Sequence, residues 1–428
     1  MIIKNYEHLA TSTSRKQILR ILEAGLEAIN TENLMRQNFA YNKQEDALYI
    51  NSKKFDISKF KKVVVVGAGK MVARAAEGIE TAMLDRLAGG MIIDIVPGNL
   101  KKIVSRVGTH PLPSGANVTT TNEIITMLNN LTEQDLVIAI IGGGGSSLMT
   151  SPQVISVDEE RMITKALMDS GADILETNTV RKHFSQIKGG GLAKLAYPAS
   201  VISLIFSDVP GDDISMVASG PTVRDNTTIQ DAMEIMNKHS ILKKCSMQKC
   251  GFIETPKDKK YFEHVENILF CSNKMALDAM EEKAKDLGLR AKIWNSSFTG
   301  EARDLAQKII SEVKPNQCLI AGGESVVTMN SHDHGSGGRN QEMGLAALLK
   351  LQPGVVFAAL ASDGRDNSDV AGALVDETNL ARANTLHLNL LDSLNRHDEY
   401  TALLDINAAI MTGVTGSNVS DLVVCIRE

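Results

Sequence analysis

Apolar and polar positions follow two rhythms along this chain. Ile18, Leu19, Leu22, Leu26 and Ile29 recur at helical spacing and predict a helix over 14–38. Residues 42–62 are polar and predict no regular element. Val63-Val64-Val65-Val66 then reads as a strand, followed by an alanine-rich helix over 71–84. Apolar runs at 91–96, 102–107, 138–141 and 201–206 read as further strands. Helical patterns at 117–130, 158–170 and 176–196, the last with a glycine break, separate them. This alternation predicts a mostly parallel sheet with helices on both faces.

Around 240–265 the texture changes to lysines, two cysteines and Thr255-Pro256, which predicts a boundary. Beyond it, strands are expected at 268–271, 290–294, 355–361 and 421–426, and helices at 274–287, 300–313 and 341–350. Residues 318–321 and 325–329 read as a hairpin around Gly322-Gly323-Glu324. The reading is an α/β protein: a doubly wound, Rossmann-like domain over 1–245 and a second α/β domain over 246–428. The closing strand is free to return to the first domain.

Composition narrows the function classes. The apolar fraction of 43% and charged fraction of 22% are those of an ordinary globular protein. Aromatic residues make up 4% and the net charge is -6, which excludes base-stacking platforms and argues against a nucleic-acid partner. No stretch approaches the roughly 18 apolar residues of a membrane helix, and residues 1–7 lack a signal peptide's apolar core. The five cysteines fit no zinc spacing and read as reduced, buried thiols in a cytoplasmic protein.

Three predicted strands end in glycine-rich or charged loops: Gly67-Ala68-Gly69-Lys70, Gly142-Gly143-Gly144-Gly145-Ser146-Ser147, and residues 207–213. In parallel sheets ligands gather at such carboxyl ends. Four consecutive glycines suit an anion approaching the backbone N–H groups. The familiar nucleotide motifs are absent. Val64 and Met71 break a Walker A pattern around Lys70, and Val72 stands where a dinucleotide fingerprint needs its third glycine. No Gly-x-Ser-x-Gly elbow occurs. His332 and His334, in a glycine-rich loop, read as solvated rather than metal-ligating. What remains is backbone donors, cations (Lys70, Arg181, Lys188, Arg339) and carboxylates (Asp208, Asp212), the mixture that phosphoryl transfer needs.

Several segments together resemble the glycerate 2-kinase family with a MOFRL-type C-terminal domain. They include Val65-Val66-Gly67-Ala68-Gly69-Lys70, Thr109-His110-Pro111-Leu112-Pro113 and the glycine run at 142–145. The most specific are Arg181-Lys182-His183-Phe184-Ser185-Gln186-Ile187-Lys188-Gly189-Gly190 and Gly338-Arg339-Asn340-Gln341-Glu342. Ser207-Asp208-Val209-Pro210-Gly211-Asp212 and Thr415-Gly416-Ser417-Asn418-Val419-Ser420-Asp421 complete the match in order. The resemblance implies two α/β domains with the site in the cleft between them. It also implies an ATP- and Mg²⁺-dependent enzyme that phosphorylates D-glycerate at its 2-hydroxyl, with hydroxypyruvate reduction by NAD(P)H as the alternative.

By matching positions, Lys70 and Arg339 are the implied catalytic cations and Asp208 a base or metal carboxylate, with Asp212 as a second metal candidate. Gly142, Gly143, Gly144, Gly145, Ser146 and Ser147, together with Lys188, Gly189 and Gly190, are expected to cradle the nucleotide. Lys70, Arg181, Arg339 and Asn340 are expected to face the acceptor. The chain departs from the family pattern at Ser114, Ser362, residues 367–369 and Val414. These departures widen the acceptor to related hydroxy acids. The expected partner is this small molecule, for a monomer or homodimer.

Overall fold

The computed structural model describes residues 1–329 and 335–428. They form two units: Leu34–Ser207 with Asp213–Phe270, and Met1–Asn33 with Asp208–Asp212 and Cys271–Glu428. These limits differ from the expected division at 245/246. The strand Val265–Cys271 extends the first sheet, and the helix Thr13–Ala28 lies against the helix Asn273–Asp286 of the second unit. Gly25 permits that approach, since a Cβ there would stand 2.7 Å from Met280 Sδ.

In the larger contiguous unit, the residues expected to be structureless fold into an antiparallel meander: β1 (Phe39–Asn42), β2 (Ala47–Ile50) and β3 (Lys53–Asp56). The main sheet has β4 (Lys62–Ala68), β5 (Gly89–Asp94), β6 (Ile103–Val107), β7 (Asp135–Gly142), β8 (Ser200–Phe206) and β9 (Val265–Cys271). Its order is β6-β5-β4-β7-β8-β9, and β4 to β8 pair in parallel. Every residue of β7 is buried, so its apolar run is continuous rather than alternating. This is the doubly wound arrangement expected.

The second unit holds a mixed sheet: β10 (Arg290–Glu301), β11 (Gln317–Val326), β12 (Val355–Ala361), β13 (Gly372–Val375), β14 (Ala409–Ile410) and β15 (Asp421–Arg427). The order is β10-β11-β15-β12-β13-β14; β10 pairs with β11 in parallel and the other neighbouring pairs are antiparallel. The closing strand β15 therefore stays in this unit, between β11 and β12, and does not return to the first. The hairpin expected at 318–329 is absent too. Gly322 and Gly323 lie inside the continuous β11, where Gly323 pairs with Asp421. A Cβ on Gly322 would overlap Asn273, at 1.9 Å from its Oδ1, so these glycines admit a neighbour rather than a turn.

Of the five cysteines, Cys271, Cys318 and Cys425 are buried, while Cys245 and Cys250 are half-buried. Burial pushes the Cys271 and Cys318 thiols up to about 12. Among the described residues no helix is long and apolar enough to cross a membrane.

The helix Arg339–Leu348 packs tightly on β13, where a Cβ on Gly344 would fall 2.3 Å from the Ala373 Cβ. Neither group can swing aside. Gly344→Ala is therefore expected to destabilise the protein by about 1–3 kcal/mol through overpacking, despite the better helix propensity of alanine. A rise in the denaturation midpoint of this variant would contradict that packing.

Candidate functional site

The chain winds from β4 outward through β5 and β6, then restarts at β7 and runs the other way through β8 and β9. The carboxyl ends of β4 and β7 thus flank the point where strand order reverses, the usual ligand crevice of such sheets. Both ends are built of glycine for a packing reason. A Cβ on Gly69 would lie 2.6 Å from the backbone of Gly142, so the two turns touch backbone to backbone. The Lys70 N–H donates to the Gly143 carbonyl at 2.8 Å. Gly144 takes φ +76 and starts the short helical turn Gly145–Leu148. Its bare Cα faces His110, whose Cδ2 would be 2.9 Å from an added Cβ.

Hydroxyls and one guanidinium complete this half. Ser146 Oγ bonds Ser219 Oγ at 2.8 Å, and Ser219 in turn donates to Asn178 Oδ1 at 2.7 Å. Arg181 Nη2 donates to Ser147 Oγ at 3.1 Å, while its Nε is buried with no hydrogen-bond partner among the described residues. The carboxylate that acts on Arg181 is Glu160, which already accepts from Lys188 Nζ at 2.9 Å and from Thr150. Two buried cations share one carboxylate. Desolvation pulls the Arg181 pKa down, which marks a charge short of compensation. An anion at Ser147 would supply it.

The structure assigns Lys188, Gly189 and Gly190 differently from the expectation. Lys188 is buried, and its ammonium is spent on Glu160 and Thr150. The Gly189 N–H donates to the Ser219 carbonyl at 2.9 Å and that of Gly190 to the Gly220 carbonyl at 2.8 Å. Neither glycine N–H is left for a phosphate. Their positive φ values and the Phe262 ring, 2.7 Å from a Cβ placed on Gly190, explain the glycines.

In the second unit, Arg339 opens its helix behind an extended Gly338. Its Nε bonds Asp421 at 3.0 and 2.9 Å, to Oδ1 and Oδ2, and its Nη1 meets Glu324 Oε1 at 2.5 Å. Glu324 lies in β11 and Asp421 begins β15, so adjacent strands fix both carboxylates. The Arg339 side chain is 30% exposed and keeps an accessible edge. Asn340 is fully buried, and its amide hydrogens go to Asp421 at 2.8 Å and Asp366 at 3.3 Å. It braces the carboxylates rather than facing an acceptor. Asp208 belongs to this unit, accepting from Asn418 Nδ2 at 3.1 Å through Oδ2 and from Ser420 through its carbonyl at 2.6 Å. Asp212 ends the same segment with φ +56.

Burial drives the Asp421 carboxyl up to about 6 against the pull of Arg339, with Asp366 and Glu324 adding to the rise. The surrounding carboxylates hold Arg339 firmly protonated. Sequence reasoning missed His110, Asn178, Ser219, Glu324, Asp366 and Asp421. The signal for Asp421 was its place at the end of a polar loop entering a strand. His332 and His334 lie outside the described residues.

Two family models match the chain: "Domain of unknown function (DUF4147)" over residues 17–252 and "MOFRL family" over residues 317–421. A glycerate 2-kinase of Picrophilus torridus is 34% identical over 99% of both chains. A protein of Agrobacterium vitis with the provisional name hydroxypyruvate reductase is 37% identical, over 84% of this chain and 86% of its own. The crystal structure of a glycerate kinase from Thermotoga maritima superposes with a TM-score of 0.81 at 30% identity, covering 96% of this chain and 99% of that one.

Asp421 positions Arg339, so Asp421→Asn is expected to lower the chain's catalytic rate by roughly 10–10²-fold through misplacement of the guanidinium. Asp421 is ionised above about 6, so the unsubstituted protein should lose rate as pH falls through that value, and the variant should lack this acid limb. An unchanged pH–rate profile in Asp421→Asn would remove the assigned role.

Proposed function

The chain belongs to the glycerate 2-kinase family that joins a DUF4147 region to a MOFRL region, and on that premise we propose that it transfers the γ-phosphoryl group of ATP to the 2-hydroxyl of D-glycerate. The products are 2-phosphoglycerate and ADP. The observation that carries this reading is the glycine turn at the strand-order reversal, beside a buried guanidinium short of an anion. The bare backbone of Gly142 to Gly145, with Ser146 and Ser147, receives phosphate oxygens, and Lys70 and Arg181 add positive charge. Arg339 takes the acceptor's carboxylate or the charge developing on the transferred group, in a geometry its two carboxylates keep fixed. Such preorganised donors reduce the barrier because they need no reorientation as charge shifts.

Asp208 offers hard oxygen ligands that fit Mg²⁺, with Asp212 on the same segment as the second candidate. When bound, the ion neutralises phosphate charge. Asp208 is also the candidate base for the 2-hydroxyl proton. The reaction is assigned to the cytoplasm.

The reductase reading draws support from the name carried by Agrobacterium vitis relatives. It meets an obstacle at β4: Val72 occupies the fingerprint's third glycine position, and its Cγ1 would be 2.8 Å from a Cβ on Gly67.

Coupled ADP release over a panel of small hydroxy acids, with ³¹P NMR of the product, tests the proposal. D-glycerate is expected to lead, with phosphate on O2. Steady NADH oxidation with hydroxypyruvate, and no ADP release, would reverse the assignment. Lys70→Ala and Arg339→Ala are each expected to reduce turnover by roughly 10²-fold, as for loss of one transition-state donor.

A further inference from the structure

Outside these groups, the second unit buries an unusual trio. Glu342 lies one turn after Arg339 on the same helix, His397 follows the helix Leu390–Asn395, and Glu399 starts the helix Glu399–Asp405. One nitrogen and two carboxylate oxygens from the three lie within 4.8 Å of one another. Glu342 and Glu399 are 2% and 1% exposed, and His397 is 9% exposed.

The hydrogen bonds around the trio leave it unbalanced. Arg303 Nε donates to Glu342 Oε1 at 2.5 Å, and its Nη2 donates to the Leu394 carbonyl at 2.6 Å. His397 Nδ1 lies 2.9 Å from Glu342 Oε2, an acceptor, and 3.3 Å from Arg303 Nη2, a donor. One tautomer can satisfy only one of these contacts. Glu399 Oε1 is buried with no hydrogen-bond partner among the described residues. Burial and the charges of Glu342 and Asp366 push the Glu399 carboxyl up to about 8, as for an anion without enough neighbouring positive charge. A cavity of about 560 Å³ reaches two of the three, lined by Glu342 and His397 together with Glu301, Arg303, Asp304 and Thr328. Glu301 and Asp304 add negative charge beside Glu342 and His397.

We propose that Glu342, His397 and Glu399 form a divalent-metal site, separate from any Mg²⁺ that accompanies the nucleotide. A cation among the three ligand atoms would take the Nδ1 lone pair, one Glu342 oxygen and the orphaned Glu399 oxygen at once. One imidazole and two carboxylates suit Zn²⁺ better than Mg²⁺, which prefers oxygen alone. The site ties the helix that presents Arg339 to the helix Glu399–Asp405 and the turn before it, so its role is to steady that guanidinium's support.

The test uses the full chain, stripped with chelator, then exposed to Zn²⁺ or Mg²⁺ without nucleotide and desalted. Metal per chain and the melting midpoint are then measured. The expected result is one Zn²⁺ retained per chain with a raised midpoint, no comparable retention of Mg²⁺, and loss of both Zn²⁺ effects in Glu399→Gln and His397→Ala. Glu399→Gln preserves side-chain shape, and circular dichroism checks that each variant is folded. No Zn²⁺ uptake, uptake undiminished in both folded variants, or equal retention of Mg²⁺ would overturn the assignment.

Discussion

The contact on which the first unit turns is that between two bare backbones, Gly69 at the end of β4 and Gly142 at the end of β7. No side chain fits between them. The two strands are neighbours in the sheet, yet the chain leaves them in opposite directions. Their loops must therefore separate from a common origin. The glycines let the turns meet first and part afterwards, and His110, Lys70 and the serines collect around that origin. A methyl group on Gly69 would push the loops apart before any ligand arrived.

The second unit follows the opposite logic, holding one half-buried cation among carboxylates. Arg339 stands among Asp421, Glu324 and Asp366, the carboxylates that shift its ionisation. Two of them are themselves anchored: Asp421 by the Ser325 N–H and Asn340, and Asp366 by the Gln341 N–H. The guanidinium is thus held by Asp421, a group that is costly to move, since that carboxylate, once displaced, would stay buried without its partner. The Gly-Gly-Arg-Asn-Gln-Glu segment divides its labour accordingly. Arg339 reaches outward, Asn340 and Gln341 hold the anions behind it, and Glu342 joins a separate buried cluster.

Much of this was legible in the sequence. The buried parallel strands were visible because both of their faces are covered, which leaves uninterrupted apolar runs such as β7. The three-stranded meander was not, because Lys53, Lys54 and Asp56 leave β3 largely exposed and polar. The hairpin expected at Gly322-Gly323 failed because a glycine pair signals either a turn or a close neighbour, and only the fold places Asn273 there. Lys188 misled for a related reason. A lysine before two glycines reads as a phosphate loop, but the partner that claims it, Glu160, lies on another helix. The carboxylates behind Arg339 are far apart in the chain, so their convergence has no local signature.

The helix Thr13–Ala28 has a consequence for how the chain matures. It buries Ile18, Leu19, Ile21, Leu22 and Leu26 within a unit whose remaining parts come mostly after Cys271. During synthesis, its partner helix beginning at Asn273 emerges about 245 residues later, a delay of roughly 10–50 s at ribosomal rates of about 5–20 residues per second. The nearly contiguous intervening unit can fold in that interval. The amphipathic helix meanwhile has its apolar face uncovered.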